Sequence, residues 1–159
     1  MARVLIVGCG CRGQSLAREL VAIGHTVRGT TRDPERQRQI EASGAQPFIA
    51  DPDRISTLTP ALDGVTIMCL LLGSATGTPS QLKALHTTRL EMLLQRTIDT
   101  TVHGITYEAT GTTPKGLLTT GAKLVEAKCT HDGIPHRILQ PEPDNWLSTT
   151  IEAVEALLA

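Results

Sequence analysis

Aromatic side chains are nearly missing from this sequence: Phe48, Tyr107 and Trp146 are the only three among 159 residues. Base stacking on aromatic platforms, the usual device for holding single-stranded nucleic acid, therefore has almost nothing to work with. An excess of charge is missing too. The formal net charge is −1, and Lys and Arg are scattered rather than gathered into a face that could follow a phosphate backbone. Nucleic acid is not an expected partner. Long apolar runs are absent: the longest, Ile67 to Leu72, is far too short to span a bilayer. The four cysteines (Cys9, Cys11, Cys69, Cys129) show neither zinc-site nor disulfide-framework spacing, and the five histidines show no metal spacing, so reduced thiols and no metal are expected. Only Met1-Ala2-Arg3 precede the first apolar segment, so no secretory leader is expected. These features together point to a cytoplasmic location.

What the sequence does have is an aliphatic core and one strongly patterned stretch. Hydrophobic residues make up 40% and charged residues 19%, an ordinary balance for a globular chain of this length, which can bury roughly 70% of its unfolded surface. The patterned stretch is Val4-Leu5-Ile6-Val7 followed at once by Gly8-Cys9-Gly10-Cys11-Arg12-Gly13. Four apolar, mostly β-branched residues make a short buried strand, and G-x-G-x-x-G then leads into a helical pattern. In that setting each glycine has a task. Gly8 allows the turn out of the strand, Gly10 lets a pyrophosphate approach the backbone, and Gly13 lets the helix pack on the strand. The pyrophosphate would lie against the free N–H groups and positive dipole end of the new helix. A redox role for Cys9-x-Cys11 is the competing reading, but the glycine pattern already accounts for the region.

Along the chain, strand and helix patterns alternate. Gln14 to Ile23 reads as a helix closed by Gly24, and Thr26 to Thr31 as a second strand. Asp33-Pro34-Glu35 caps a helix running to about Ser43. Pro47 to Ala50 is a third strand, Ile55 to Leu62 a poor short helix, and Val65 to Leu72 a central strand covered on both faces. A long helix is expected from Pro79 to about Thr101. Its leucines spread over more than one stripe, which implies cover on more than one side and suggests a second subunit. A fifth strand, Gly104 to Thr110, precedes a helix from Pro114. A sixth strand, Ile134 to Leu139, precedes a closing helix with Thr149-x-x-Glu152 as its capping box. The expected fold is α/β: a doubly wound parallel six-stranded sheet of order 3-2-1-4-5-6 in three layers, one domain over residues 1–159 with no separate substrate domain.

The end of the second strand discriminates between cofactors. An acid there bonds the adenosine ribose 2′-hydroxyl, whereas NADP sites lack the acid and place an arginine nearby. Here the position is Thr31, followed by Arg32, whose guanidinium can pair a 2′-phosphate through two hydrogen bonds. NADP(H) is favoured, with NAD the alternative. Asp33, next to Arg32, could instead occupy that charge.

The glycine loop, Gly24-His25-Thr26-Val27-Arg28-Gly29-Thr30-Thr31-Arg32-Asp33-Pro34, Asp51, Ala61-Leu62-Asp63-Gly64-Val65 and Gly133 to Pro141 together resemble the atypical and extended short-chain dehydrogenase/reductase families, which share the NAD(P)-binding Rossmann fold. The resemblance implies that Asp51 contacts adenine and that Leu71, Leu72 and Gly73 line the cofactor cleft. It also implies a homodimer through the helices from Pro79 and Pro114. Those families use Tyr-x-x-x-Lys on the fifth helix with a Ser or Thr after the fifth strand. Lys123 falls in the lysine place and Thr110 is nearest to the Ser/Thr, but Thr119 stands in the tyrosine place. An aliphatic hydroxyl is far too weak an acid to replace a phenol. Glu108 is a further candidate acid or base, because a carboxylate near the C-terminal end of a central parallel strand lies where such sheets place ligands. It could equally be solvated at the cleft mouth or paired with Lys123.

Two expectations follow. One is a small NADP-dependent oxidoreductase acting on an unknown small carbonyl or alcohol. The other is a non-catalytic module that senses NADP(H). Thr119 argues for sensing; Lys123 and the intact glycine loop fit either.

Overall fold

The computed structural model describes residues 2–159. Six parallel strands form one sheet of order β3-β2-β1-β4-β5-β6, as the alternation of patterns requires. They are β1 (Arg3–Val7), β2 (Thr26–Thr31), β3 (Gln46–Ile49), β4 (Ile67–Leu70), β5 (Gly104–Glu108) and β6 (His136–Leu139). Between and after them lie α1 (Cys11–Ala22), α2 (Gln37–Ala42), α3 (Ile55–Leu58), α4 (Pro79–Leu85), α5 (Thr88–Thr97), α6 (Lys115–Asp132) and α7 (Trp146–Leu158).

Alternate residues of each strand feed two separate cores. Val4, Ile6, Val27, Ile67 and Cys69 point to one face, where α1, α2 and α7 bury Leu16, Leu20, Ile40, Trp146 and Val154. Leu5, Val7, Met68, Leu70, Ile105 and Tyr107 point to the other, under α3, α4, α5 and α6. The register, with Val7 beside Leu70 and Leu70 beside Tyr107, brings the C-terminal ends of β1, β4 and β5 level with one another. The order of the strands reverses between β1 and β4, and loops leaving the sheet in opposite directions open a crevice there.

Several boundaries differ from expectation for local reasons. Helix α1 begins at Cys11, inside the glycine loop, so Arg12 and Gly13 belong to its first turn. The segment after Asp33 opens as a 3-10 turn (Pro34–Arg36), capped by the Asp33 carboxylate on the Glu35 N–H at 2.9 Å, before α2 begins. The expected long helix is two. Helix α4 ends at His86, and α5 restarts after Thr87, whose φ of −128° is not helical. The break turns Leu85, Leu90, Leu93 and Leu94 all into this chain's own core, so their spread needs no second subunit to explain it. Thr149 and Glu152 lie inside α7, which starts at Trp146 after a 3-10 turn (Pro143–Asn145); no capping box forms there. The box forms instead at α4, where Thr78 and Gln81 exchange side-chain to backbone hydrogen bonds.

Candidate functional site

The glycine loop is shaped by its neighbours. Gly8 has φ of +87°, and a Cβ there would stand 2.6 Å from the Leu71 carbonyl oxygen, so a side chain is excluded twice over. The Gly8 N–H donates to Thr30 Oγ1 at 3.1 Å and the Cys9 N–H to the Thr30 carbonyl at 2.9 Å, which ties the loop to β2. Gly13 lies against Ile6 and Cys9, and lets α1 approach β1. Gly10 is the contrast, because a Cβ there would meet nothing within 4 Å. It faces open space at the helix start.

That helix start is unfilled. No side chain caps α1 and no acid occupies its first turn. The N–H groups of a first turn have no carbonyl one turn back to bond to, so they and the positive end of the helix dipole are left for an anion. Above them lies a cleft of about 540 Å³. Of the residues singled out from sequence, Gly8, Gly10, Cys11, Arg12, Gly13, Thr31, Arg32, Asp51, Leu71, Leu72 and Glu108 line it; Gly73, Thr110 and Lys123 do not. Leu82, Leu85 and Ala75 add an apolar wall from α4 and the loop before it, which sequence reasoning missed. The capping pattern Thr78-x-x-Gln81 was the available signal, since it fixes where α4 starts.

At the β2 end, Thr31 Oγ1 accepts the Asp33 N–H at 3.1 Å. The Asp33 carboxylate is turned to the Glu35 N–H and, at 4.0 Å, to Arg36. Arg32 is thus not neutralised by its neighbour. It is exposed, and its guanidinium reaches only the Thr76 carbonyl and hydroxyl oxygens, both at 3.4 Å. Asp51 is half-buried, with its carboxylate accepting the Asp53 N–H at 2.9 Å.

Glu108 is neither solvated nor paired with Lys123. It is 1% exposed. One carboxylate oxygen accepts the Gly73 N–H at 3.0 Å; the other accepts Trp146 Nε1–H at 2.8 Å and faces Arg12 Nη1 at 3.2 Å. Arg12 also donates to Ser74 Oγ at 2.9 Å, and its guanidinium lies 5.3 Å from the centre of the Trp146 ring. Burial pushes the Glu108 pKa above the ordinary carboxylate value, against the opposing pull of Arg12, Trp146 and the Gly73 N–H.

The expected catalytic helix residues face away. On α6 the buried stripe is Leu118, Gly121, Val125 and Cys129. Lys123 is two residues, about 200° of helical rotation, from Gly121, and Thr119 is one turn before Lys123. Both are exposed. Gly121 fits directly against the Tyr107 hydroxyl. That hydroxyl is fully buried and bonded to His86 Nδ1 at 2.7 Å, and burial raises its pKa. Cys9 is buried, with its thiol pushed up to about 12 by desolvation, while Cys11 is exposed. A thiol held protonated in this way is not a redox nucleophile. Among the described residues no group of three or more His, Cys, Asp or Glu could hold a metal ion, and no helix is long and apolar enough to cross a membrane.

Comparison with known proteins places this geometry. The TrkA-N domain family matches residues 4–98, more than half of the chain, from β1 to just beyond α5. A putative NAD-dependent epimerase/dehydratase from Bacillus halodurans superposes with a TM-score of 0.73 at 18% identity, covering 90% of this chain and 71% of its own. A short-chain dehydrogenase/reductase superfamily protein from Agrobacterium tumefaciens, solved with bound NAD, gives 0.70 at 18% identity, covering 87% of this chain and 48% of its own. Vestitone reductase from alfalfa gives 0.64 at 17%, covering 87% and 56%. At such identities the likeness is one of fold. The chain spans about half the length of two of these structures. No curated protein matches the sequence.

Proposed function

The chain belongs to the TrkA-N domain family of Rossmann NAD(P)-binding domains, and we propose that it is a module that binds NADP(H), with the pyrophosphate on the first turn of α1. One observation carries this reading: the cleft lies over a helix start with no side-chain cap, beside a glycine whose Cβ position is open. The residues fit the group. The first-turn N–H groups hold the diphosphate, Leu71 and Leu72 floor the cleft, and Asp51 accepts from the adenine amino group. Arg32, free of Asp33, pairs the 2′-phosphate. NAD is the competing ligand, since the Agrobacterium relative was solved with it.

When bound, the nicotinamide supplies hydride chemistry. This chain supplies little to go with it. Thr119 and Lys123 are on the outer face of α6, Tyr107 is sealed in the core with His86, and the Glu108 carboxylate has its donors in place. Binding without turnover is therefore favoured over the oxidoreductase expectation. Reduction of a small carbonyl, or oxidation of an alcohol, keeps one observation on its side. Glu108 is a buried carboxyl that lines the cleft, and burial raises its pKa, as suits an acid or base. Calorimetric titration with NADP and with NAD tests the cofactor assignment, which is lost if NAD binds more tightly. Absorbance of NADPH followed with a panel of aldehydes and ketones tests the rest. Binding with no oxidation by any of them is the expected result, and steady oxidation by one of them restores the enzyme.

A further inference from the structure

We propose that Arg12 is a plug that confines the ligand to one half of the crevice, so that what this chain recognises is a 2′-phosphorylated adenosine diphosphate moiety and the nicotinamide end contributes nothing to binding. The inference rests on the reading above that the cleft holds a nucleotide, and adds which part of it is held.

A dinucleotide on a doubly wound sheet lies across the point where strand order reverses, with one half on each side. The cleft here is one-sided. It is lined by the glycine loop and the start of α1, by the ends of β2 and β3, by the segment after β4 and by α4; beyond β4 only Glu108 contributes, and nothing from β6, α6 or α7 does. The reason lies in Arg12. From the first turn of α1 its guanidinium crosses the end of β4 to the Glu108 carboxylate on β5 at 3.2 Å, bonds Ser74 Oγ at 2.9 Å on the way, and rests on Trp146 of α7. Four segments meet on one side chain.

Beneath the guanidinium the two loops that would part around a nicotinamide are joined. The Thr113 N–H donates to the Gly73 carbonyl at 2.9 Å and the Thr112 N–H to Ser74 Oγ at 3.2 Å. Gly73 is so close to the Thr110 carbonyl oxygen that no Cβ could stand there. Moving Arg12 would also leave Glu108, a carboxylate 1% exposed, without its counter-charge, and stranding a buried charge is costly. The other side has no such join between its loops: Arg32 reaches Thr76 at 3.4 Å from the end of β2, and the partly exposed pair Asp53–Arg89, at 3.2 Å, ties the loop after β3 to α5.

The test compares NADP with 2′-phospho-ADP-ribose, which lacks only the nicotinamide. On the wild-type protein calorimetry should give dissociation constants within about threefold of each other, as expected when the deleted group makes no contact. Saturation-transfer NMR on the NADP complex should show strong transfer to the adenine protons and weak transfer to the nicotinamide protons. Arg12→Ala should open the second half and favour NADP over the truncated ligand by about tenfold or more. The plug is overturned if wild type already prefers NADP by about tenfold, if both rings receive equal saturation, or if Arg12→Ala leaves the ratio unchanged. Should that variant not fold, the two wild-type measurements decide alone. If neither ligand binds, the nucleotide reading itself falls and takes this inference with it; if both bind but NADP far more tightly, only the plug falls.

Discussion

The two sides of the crevice are built from the same kind of unit, a parallel strand feeding a loop and a helix, yet one is open and the other shut. On the open side Thr31 and Arg32 bond to their own loop or to exposed Thr76, and Thr30 holds the glycine loop. On the shut side β5 ends in Glu108, and a single buried carboxylate collects donors from α1, from the loop after β4 and from α7. The fold sets where a ligand could lie. One charged residue at a strand end sets how much of that space is available.

The largest expected effect lies on the shut side. Gly73→Ala would drive a methyl into the Thr110 carbonyl and to 2.9 Å from the Glu108 carboxylate, and should cost about 3 kcal/mol in urea unfolding. A variant as stable as wild type would mean that the loops are not locked. Gly10→Ala is its counterpart on the open side. The fold should tolerate it to within about 1 kcal/mol, because its Cβ meets nothing, and the small loss is that of a poorer helix cap. NADP affinity should nevertheless fall roughly thirtyfold, about 2 kcal/mol, since the methyl stands where the diphosphate must approach. Unchanged affinity in calorimetry would remove the diphosphate from α1.

Arg32→Ala sharpens the comparison within the open side. NADP should weaken about tenfold, near 1.4 kcal/mol, while NAD changes little; equal losses for both would take the 2′-phosphate away from Arg32. The smallest effect concerns His86, under the shut side against Tyr107. Burial lowers its pKa, so the unfolded chain binds the proton more readily than the native one between the ordinary value near 6.5 and the lower native value. The stability associated with neutral His86 is therefore complete above about pH 6.5 and is lost as pH falls through the native pKa. Urea midpoints of wild type and His86→Gln between pH 7 and pH 5 should show a shallower decline in the variant. Parallel declines would assign the proton uptake elsewhere.

What could be read from sequence was whatever local spacing controls. Thr26 to Thr31 was legible as a strand to both ends, because a closing Gly24 and the Asp33-Pro34 pair bracket it. The strand order followed from the alternation of strands and helices. The helix break at His86 and Thr87 was not legible, since leucines on both sides satisfy a helical period and only packing against Tyr107 reveals the turn. Thr149-x-x-Glu152 misled for a related reason: the pattern names a possible cap, but the 3-10 turn from Pro143 has already led into the helix at Trp146, three residues before. Glu108 stands out in the sequence as a carboxylate on a central strand, but its partners are 35, 38 and 96 positions away along the chain. Lys123 sits at the motif's spacing, but Gly121, two residues off, turns inward to admit the Tyr107 hydroxyl and so turns the lysine out.

Trp146 is the chain's one tryptophan, and it is the residue on which Arg12 lies and from which Glu108 accepts a hydrogen bond. All indole emission from this protein therefore originates at the closure between the two sides. A cation over the ring and a carboxylate at its nitrogen both tune that emission, so the molecule carries its own optical gauge of whether the closure is intact. A ligand that fills only the open side should leave the emission maximum where it was, and one that draws Arg12 away should move it. The same cuvette that measures affinity can thus report which half of the crevice a given ligand has entered.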